Sequence, residues 1–185
     1  QPTKDRFNDI GETVLEVGPG TGALTECLLE REVRVIAVEI DRDLAGLVRD
    51  RFGDRVTLVE GDCLAKGRRL APKVVSALEG AEFKLVANLP YQAASPLMSS
   101  LLMHHPECSG QWVTIQKEVV DRLVANPGTK AWGPLTAIVR AFASARRIAL
   151  LPPGCFWPAP KVTSAMAELV PCASDSVSYT HLRAH

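Results

Sequence analysis

The four residues Asn88-Leu89-Pro90-Tyr91 follow an apolar run at residues 83–87 and carry groups suited to chemistry on a nucleobase. The amino nitrogen of adenine is a weak nucleophile because its lone pair is delocalised into the ring. Two oxygen acceptors aimed at its N–H bonds return that lone pair to nitrogen. The side-chain carbonyl of Asn88 and the backbone carbonyl of Leu89 can serve, since Pro90 fixes the local backbone. Tyr91 adds a ring face for base stacking. A Pro-containing turn capped by Asn is the structural alternative.

A glycine loop follows the first predicted strand, in the sequence LEVGPGTG. Gly18, Gly20 and Gly22 permit positive φ angles and let backbone N–H groups approach a ligand. Their spacing is G-x-G-x-G, whereas a dinucleotide site needs its third glycine one position later. Glu16 precedes the loop, and its carboxylate would repel a pyrophosphate but attract an ammonium group. The loop therefore favours S-adenosylmethionine over NAD as the cofactor.

Two further carboxylates end the next two predicted strands. Glu39 is placed to accept hydrogen bonds from both hydroxyls of a ribose, which NAD enzymes also require. Asp62 ends the third strand, where its carboxylate can accept from the amino group of an adenine. Each acid alone is equally well explained as a helix cap or a solvated strand end. Three acids at three successive strand ends beside a glycine loop indicate a cofactor site.

Alternating strand and helix patterns position these residues. Strand patterns occur at residues 13–17, 33–40, 55–62, 83–87 and 111–116, and the run at 33–40 is nearly continuously apolar, as is typical of a strand covered on both faces. Helical patterns occur at residues 23–31, 41–52, 72–78 and 95–104, with Asp41 as the expected N-cap of the second helix. The alternation predicts an open α/β sheet of parallel strands, and such sheets bind ligands outside the C-terminal ends of their strands.

The residue pattern after position 133 predicts that the sheet does not end in a further parallel strand. Residues 134–148 and 162–170 are rich in Val, Ile, Leu and Ala, with no full helix expected between them. Two consecutive strand-like runs of this kind indicate an antiparallel hairpin. The expected sheet then has seven strands, mostly parallel, with helices on both faces.

Composition narrows the class of protein. The 185 residues are 46% hydrophobic and 23% charged with a net charge of zero, as in an ordinary globular domain. The five cysteines are scattered without a Cys-x-x-Cys pair, so neither a disulfide framework nor a metal site is expected. No apolar run approaches the roughly 20 residues of a membrane helix, and the N-terminal residues lack a signal-peptide pattern. We therefore expect a cytoplasmic protein.

Six segments together resemble one known family, the ribosomal RNA adenine N6,N6-dimethyltransferases. They are LEVGPGTG, VEID, EGD, ANLPYQAASPL, QKEVVDRLVANPGTKAWGPL and FWPAPKVTSA, in this order within residues 10–171. The resemblance implies a Rossmann-like class I methyltransferase fold, S-adenosylmethionine as cofactor, no metal, and a monomer. It also implies that two neighbouring adenines of small-subunit ribosomal RNA, in the immature small ribosomal subunit, are the substrate.

The same resemblance assigns site residues by position. For the cofactor they are Glu16, Gly18, Gly20, Glu39, Ile40, Asp62, Cys63 and Asn88, with Ile40 and Cys63 acting through their backbone. For catalysis they are Asn88, Leu89, Pro90, Tyr91 and Phe156. Phe156 corresponds to an aromatic residue that closes over the extruded adenine from the side opposite Tyr91, which would offset part of the unstacking cost.

Basic and aromatic residues in the second half of the chain are candidates for RNA contacts. The loop PPGCFWPAPK is stiffened by prolines and presents Phe156, Trp157 and, for a phosphate, Lys161. An ordinary packed loop is the alternative interpretation. Further candidate phosphate contacts, each equally well explained as solvated surface, are Lys117, Arg122, Lys130, Arg140, Arg146 and Arg147.

The sequence departs from the family pattern at both ends. Family members carry an N-terminal Gln-Asn-Phe-Leu segment and a C-terminal helical domain, and neither is recognisable in these 185 residues. We therefore expect residues 1–171 to be the catalytic domain of a longer protein and residues 172–185 to be a disordered or non-native tail. Two other functions stay open. They are N6-adenine methylation of another RNA or of DNA, and a non-catalytic assembly role that retains the fold.

Overall fold

The structure is a computed structural model that describes residues 11–156 and 159–172, with the side chain of Tyr91 outside the description. Trp157 and residues 173–185 of the predicted tail therefore lie outside the described residues. The strands are β1 Thr13–Val17, β2 Arg34–Glu39, β3 Val56–Glu60, β4 Phe83–Asn88, β5 Cys108–Gln116, β6 Ala143–Leu151 and β7 Ser164–Pro171. The α-helices are α1 Ala23–Leu29, α2 Arg42–Phe52, α3 Pro72–Leu78, α4 Tyr91–His104, α5 Lys117–Leu123 and α6 Pro134–Phe142. Short 3₁₀ turns occupy Gly53–Arg55 and Pro153–Cys155.

The strands form one seven-stranded sheet in the order β3-β2-β1-β4-β5-β7-β6. Strands β1 to β5 are parallel to one another, and β7 pairs antiparallel with both β5 and β6. This topology confirms the predicted class I methyltransferase fold, including the antiparallel ending. Because β1 and β4 are adjacent and parallel, the glycine loop and the Asn-Leu-Pro turn leave the sheet side by side.

Helices cover both faces of the sheet, which explains the apolar strand patterns. All five residues of β1 are buried, and its side chains alternate between two cores. Val14 packs with the face covered by α1 and α2, and Leu15 packs with the face covered by α3 to α6. Strands sandwiched in this way must be apolar at nearly every position.

Asp41 begins α2 as predicted. Its Oδ1 accepts hydrogen bonds from the backbone N–H groups of Asp43, at 2.9 Å, and Leu44, at 3.1 Å. These bonds satisfy two of the donors that a helix start leaves without partners. The cap fixes the backbone two residues after Glu39, the last residue of β2, and so helps to hold the carboxylate of Glu39 in place.

The prediction that residues 134–142 form part of a strand is wrong, because they form α6. Gly133 caps this helix through its backbone N–H, which donates to Thr136 Oγ1 at 3.3 Å, and Pro134 occupies the first turn. Thr136 and Val139 are buried three positions apart, which is a helical spacing. Of the run that begins at residue 134, only the part from Ala143 onward forms a strand, β6, which pairs with β7 in the hairpin.

Two helix boundaries also differ from the prediction. Helix α4 begins at Tyr91, directly after Pro90, and includes Pro96, whereas we expected it to start near Ser95. A Ser-Pro pair is typical of a helix start, but here the φ of −57° at Pro90 already sets the chain for the helix. Helix α5, Lys117–Leu123, was not predicted because it is short and follows β5 without a loop.

Gly22 should be among the residues least tolerant of substitution. Its φ is +85°, and an added Cβ would lie 2.4 Å from Cε2 of the buried Phe52. We expect Gly22→Ala to lower the free energy of unfolding by about 3 kcal/mol, through backbone strain and overlap. Urea denaturation measures this change.

Gly46→Ala is the matched control, because Gly46 lies within α2 and a Cβ there would meet no atom within 4 Å. It should raise stability by about 0.5–1 kcal/mol, since alanine restricts the unfolded chain. Equal effects of the two substitutions would contradict the packing described for Gly22.

Candidate functional site

A cleft of about 690 Å³ opens at the C-terminal edge of the sheet, a size typical of small-molecule sites. It brings together seven of the residues predicted from the sequence. They are Glu16, Gly18, Gly20, Asn88, Leu89, Pro90 and Phe156. Residues from β1, β4 and the loop before β7 thus converge on one space, although they are up to 140 positions apart in the chain.

The glycine loop packs directly against the Asn-Leu-Pro turn. Gly18 has a φ of +74°, and its N–H donates to the carbonyl of Val38 at 2.9 Å. A Cβ on Gly18 would lie 3.3 Å from both Cδ and Cγ of Pro90. Any larger residue would push the turn outward, so Gly18 sets the distance between the loop and Asn88. At Gly20, where φ is +58°, a Cβ would meet no atom within 4 Å, so the loop borders open space there.

Glu16 is a buried acid at the edge of this cleft. Its side chain is almost fully enclosed, and its Oε2 accepts a hydrogen bond of 2.7 Å from the hydroxyl of Thr25 on α1. Burial raises the pKa of Glu16 to about 7, the Thr25 hydrogen bond opposes this rise, and the nearby Glu39 adds to it. The carboxyl of Glu16 therefore changes between its protonated and ionised forms near neutral pH. Thr25 was not predicted, because only the fold brings it to Glu16.

Glu39 holds the glycine loop through hydrogen bonds to backbone N–H groups. Its Oε2 accepts from Gly20 at 3.3 Å, and its Oε1 accepts from Asp41 at 3.0 Å. A carboxylate offers about four lone-pair sites, so each oxygen retains one for a further donor. Glu39 thus links the end of β2 to the loop that lines the cleft.

Four predicted cofactor residues do not line this cleft, namely Glu39, which is buried, Ile40, Asp62 and Cys63. Ile40 directly follows β2 and is 69% exposed, which is unusual for a large apolar side chain. Asp62 is exposed, and its Oδ1 accepts from the N–H of Leu64 at 2.9 Å. Cys63 is buried, and burial raises the pKa of its thiol to about 12. The Cys63 side chain is therefore inert at neutral pH, in keeping with a role for its backbone alone.

The Asn-Leu-Pro turn exposes Asn88 while anchoring the residue after it. Asn88 is the last residue of β4 and is exposed, whereas Leu89 is buried and its N–H donates to the carbonyl of Thr114 at 3.0 Å. Pro90 caps α4, and its carbonyl accepts from the N–H groups at the start of that helix. The predicted stacking face of Tyr91 lies outside the described side chains.

The loop before β7 closes the cleft from the other side. Cys155, Phe156, Pro160 and Ser164 all line it, with Phe156 half-buried. Ser164 is buried at the start of β7 and pairs in register with Gln116 of β5. Cys155 and Ser164 were not predicted, because their sequence context gives no sign that they face Asn88.

Most of the basic residues proposed as phosphate contacts already have partners within the protein. Asp121 pairs with both Lys117 and Arg147, and its Oδ1 lies 3.2 Å from a guanidinium nitrogen of Arg147. The other pairs are Arg122 with Glu118 at 3.7 Å, Arg146 with Glu168, and Arg140 with the side-chain oxygen of Asn126 at 3.1 Å. The three carboxylate partners partly offset four of these positive charges, whereas the amide of Asn126 leaves the charge of Arg140 unchanged.

Neither a metal centre nor a membrane span occurs in the described ranges. No group of three or more His, Cys, Asp or Glu residues there is arranged to hold a metal ion. Within residues 11–156 and 159–172, no helix has both the length and the apolar character needed to cross a membrane.

Comparisons with known proteins agree with this geometry. A model of the family described as ribosomal RNA adenine dimethylase matches residues 10–184. The ribosomal RNA small subunit methyltransferase A of Cupriavidus pinatubonensis is 42% identical over 168 residues, which are 89% of this chain and 58% of that protein.

Two solved structures are similar as well. The dimethyladenosine transferase of Plasmodium falciparum has a TM-score of 0.76 and 30% identity, over 94% of this chain and 60% of its own. The 23S rRNA methyltransferase ErmE has a TM-score of 0.72 and 26% identity, over 89% of this chain and 63% of its own. The chain spans less than two thirds of the length of each of these three proteins.

The pKa of Glu16 predicts a pH dependence of stability. The native state holds its proton up to about pH 7, whereas an unfolded glutamate loses it near pH 4.5. Between these values the native state binds more protons, so this residue's contribution to stability falls as pH rises and is lowest above pH 7. Glu16→Gln removes the effect, so its stability relative to the wild type should rise across this interval by about 3 kcal/mol.

Urea denaturation at several pH values from 4.5 to 8 measures the difference between the two proteins. The same substitution at the exposed Glu30 controls for the chemical change itself. A constant difference between Glu16→Gln and the wild type would contradict the buried, proton-exchanging state of Glu16.

Proposed function

The chain belongs to the ribosomal RNA adenine dimethylase family, and on that premise we propose that it transfers methyl groups from S-adenosylmethionine to N6 of adenine in small-subunit ribosomal RNA. Two adjacent adenines would each receive two methyl groups. The observation that carries the proposal is the convergence of Glu16, the glycine loop and Asn88-Leu89-Pro90 on one cleft. This arrangement provides a place for a cofactor with an ammonium group and, next to it, acceptors for an amine.

The residues present suit S-adenosylmethionine. Glu16 offers a buried carboxylate to the ammonium group, and Gly20 leaves space in which a side chain would obstruct a ligand. Glu39 retains lone pairs for the ribose hydroxyls. For the adenine of the cofactor we propose the carboxylate of Asp62 and the backbone of Ile40 and Cys63, with the exposed Ile40 side chain as an apolar surface.

The chain's own residues prepare the target nitrogen. When bound, S-adenosylmethionine supplies an electrophilic methyl group on a sulfonium. Asn88 and the carbonyl of Leu89 accept hydrogen bonds from the two N–H groups of the adenine amine and return its lone pair to nitrogen, and the amine loses one proton to solvent after each methyl transfer. Pro90, held against Gly18, keeps these acceptors in place, so that positioning contributes most of the acceleration. Phe156 and Tyr91 would hold the extruded base between their rings.

The partner that this activity requires is the immature small ribosomal subunit or its RNA. We place the protein in the compartment of that substrate, which for a bacterial relative is the cytoplasm. A monomer and a catalytic domain at residues 1–171 stay predictions. Support for the partner comes from the name of the relative that is 42% identical, a small-subunit methyltransferase.

Methylation of adenine in a different nucleic acid is the second candidate, favoured by the similarity to the 23S rRNA methyltransferase ErmE. Incorporation of labelled methyl groups into immature small subunits, free large-subunit RNA and DNA separates the candidates. Preference for small subunits supports the proposal, and preference for another substrate overturns it. The third candidate, a non-catalytic assembly factor, requires that none of them be labelled.

Asn88→Ala should lower the rate of methyl transfer at least tenfold, which corresponds to about 1.4 kcal/mol of barrier or more, because one of the two N–H acceptors is lost. Single-turnover transfer from labelled cofactor to immature small subunits measures this rate. Stability should hardly change, since Asn88 is exposed.

Asn126→Ala is the matched control, because Asn126 is exposed and its side chain contacts Arg140 on the surface rather than the cleft. It should transfer methyl groups at the wild-type rate. A wild-type rate for Asn88→Ala would refute the role given to Asn88.

A further inference from the structure

Thr25 is fully buried in α1, and its hydroxyl donates to Glu16 rather than to its own helix. A threonine in a helix can donate to the carbonyl four residues earlier, which here is that of Thr21, just before α1. That carbonyl instead accepts from the guanidinium of Arg51 at 2.8 Å. The 2.7 Å bond from Thr25 to Oε2 of Glu16 therefore links α1 to a carboxyl group that lines the cleft.

The groups around Glu16 act on its carboxyl in opposite directions. Burial and the carboxylate of Glu39 on β2 favour the neutral form, while the hydrogen bond from Thr25 on α1 favours the ionised form, and the resulting pKa is about 7. Asn88, at the end of β4, and Cys155, in the loop before β7, also line the cleft with an uncharged amide and a thiol. Among the described residues, Thr25 is thus the group that keeps Glu16 ionisable near neutral pH.

We propose that Thr25 is a positioning residue which, through its hydrogen bond to Glu16, sets the pH above which the cleft accepts the ammonium group of its cofactor. The inference rests on the proposed function, because it takes S-adenosylmethionine as the ligand. An ammonium group pairs with a carboxylate and not with a carboxylic acid, so binding requires that Glu16 release its proton. The proton passes from the Glu16 carboxyl to solvent, and no other bond changes.

The size of the effect follows from the proton affinity of Glu16. Full affinity requires an ionised Glu16 and a protonated ammonium group on the cofactor, and because the pKa of that amino group is about 8, affinity falls again above pH 8. At pH 6 about one tenth of the free protein is ionised, so affinity should be about tenfold lower and binding should release about 0.9 proton. At pH 7 affinity should be about twofold below its maximum, with about half a proton released.

Isothermal titration calorimetry of this chain with S-adenosylmethionine tests the proposal, at pH 6, 7 and 8 and in two buffers of different ionisation enthalpy. The buffer difference gives the number of protons released. Methylthioadenosine serves as the control ligand, because it keeps the adenosine and the sulfur but lacks the ammonium group. Its binding should show neither the proton release nor the tenfold loss at pH 6.

Three variants separate a positioning role from a structural one. Thr25→Val keeps the volume but loses the donor, so its affinity profile should move to higher pH by about one unit. Its loss of affinity relative to the wild type should be about ninefold at pH 6 and only about twofold at pH 8. Thr25→Ser keeps the donor and should retain the wild-type profile. Glu16→Gln should bind weakly at every pH, without proton release. Thermal melting checks that each variant is folded.

The possible results are distinct. Binding of S-adenosylmethionine by the wild type without proton release overturns this inference and leaves the proposed function standing. An equal loss of affinity for Thr25→Val at every pH also overturns it, because a merely structural defect would lower affinity by the same factor at pH 6 and pH 8. No binding of either ligand by the folded wild type overturns the proposed function and this inference together.

Discussion

The close contact between Gly18 and the ring of Pro90 is the constraint on which the site depends. Adjacent parallel strands β1 and β4 deliver the glycine loop and the Asn-Leu-Pro turn to the same edge, and the missing side chain of Gly18 lets them touch. In the proposed function the loop binds the methyl donor, and the turn provides the oxygens that accept hydrogen bonds from the amino group of adenine. Because in-line transfer depends mainly on position, a shift of the turn by the few tenths of an ångström that a Cβ on Gly18 would require should lower the rate.

Two neighbouring acids in this site are stabilised in different ways. Glu39 accepts two backbone N–H groups, one from the glycine loop and one from the start of α2, so it is held as part of the loop's structure. Glu16 has the single hydroxyl of Thr25 and little contact with water, and its pKa of about 7 leaves about half of the carboxyl protonated at pH 7. This difference suits their proposed roles, since a diol needs a fixed acceptor, whereas an ammonium group supplies the positive charge that stabilises an ionised Glu16.

The sequence predicted those features that depend on local pattern. Strand patterns located the first five strands, and Asp41 marked the start of α2, because burial of a strand and helix capping leave direct traces in residue type. Residues 134–142 were assigned wrongly because Val, Ile and Ala suit both strand and helix, and only burial at helical spacing identifies α6. Thr25 and Ser164 escaped prediction because their importance comes from neighbours distant in the chain, which a single sequence does not reveal.

If the proposed function is correct, this cleft joins a methyl donor to the amino group of an adenine in small-subunit ribosomal RNA. Nucleoside mass spectrometry tests this most directly, on that RNA after immature small subunits have been incubated with the protein and S-adenosylmethionine. We expect N6,N6-dimethyladenosine at two adjacent positions, absent when the cofactor is omitted. Unmodified adenines, from a folded protein that binds the cofactor and the subunit, would contradict the proposed function.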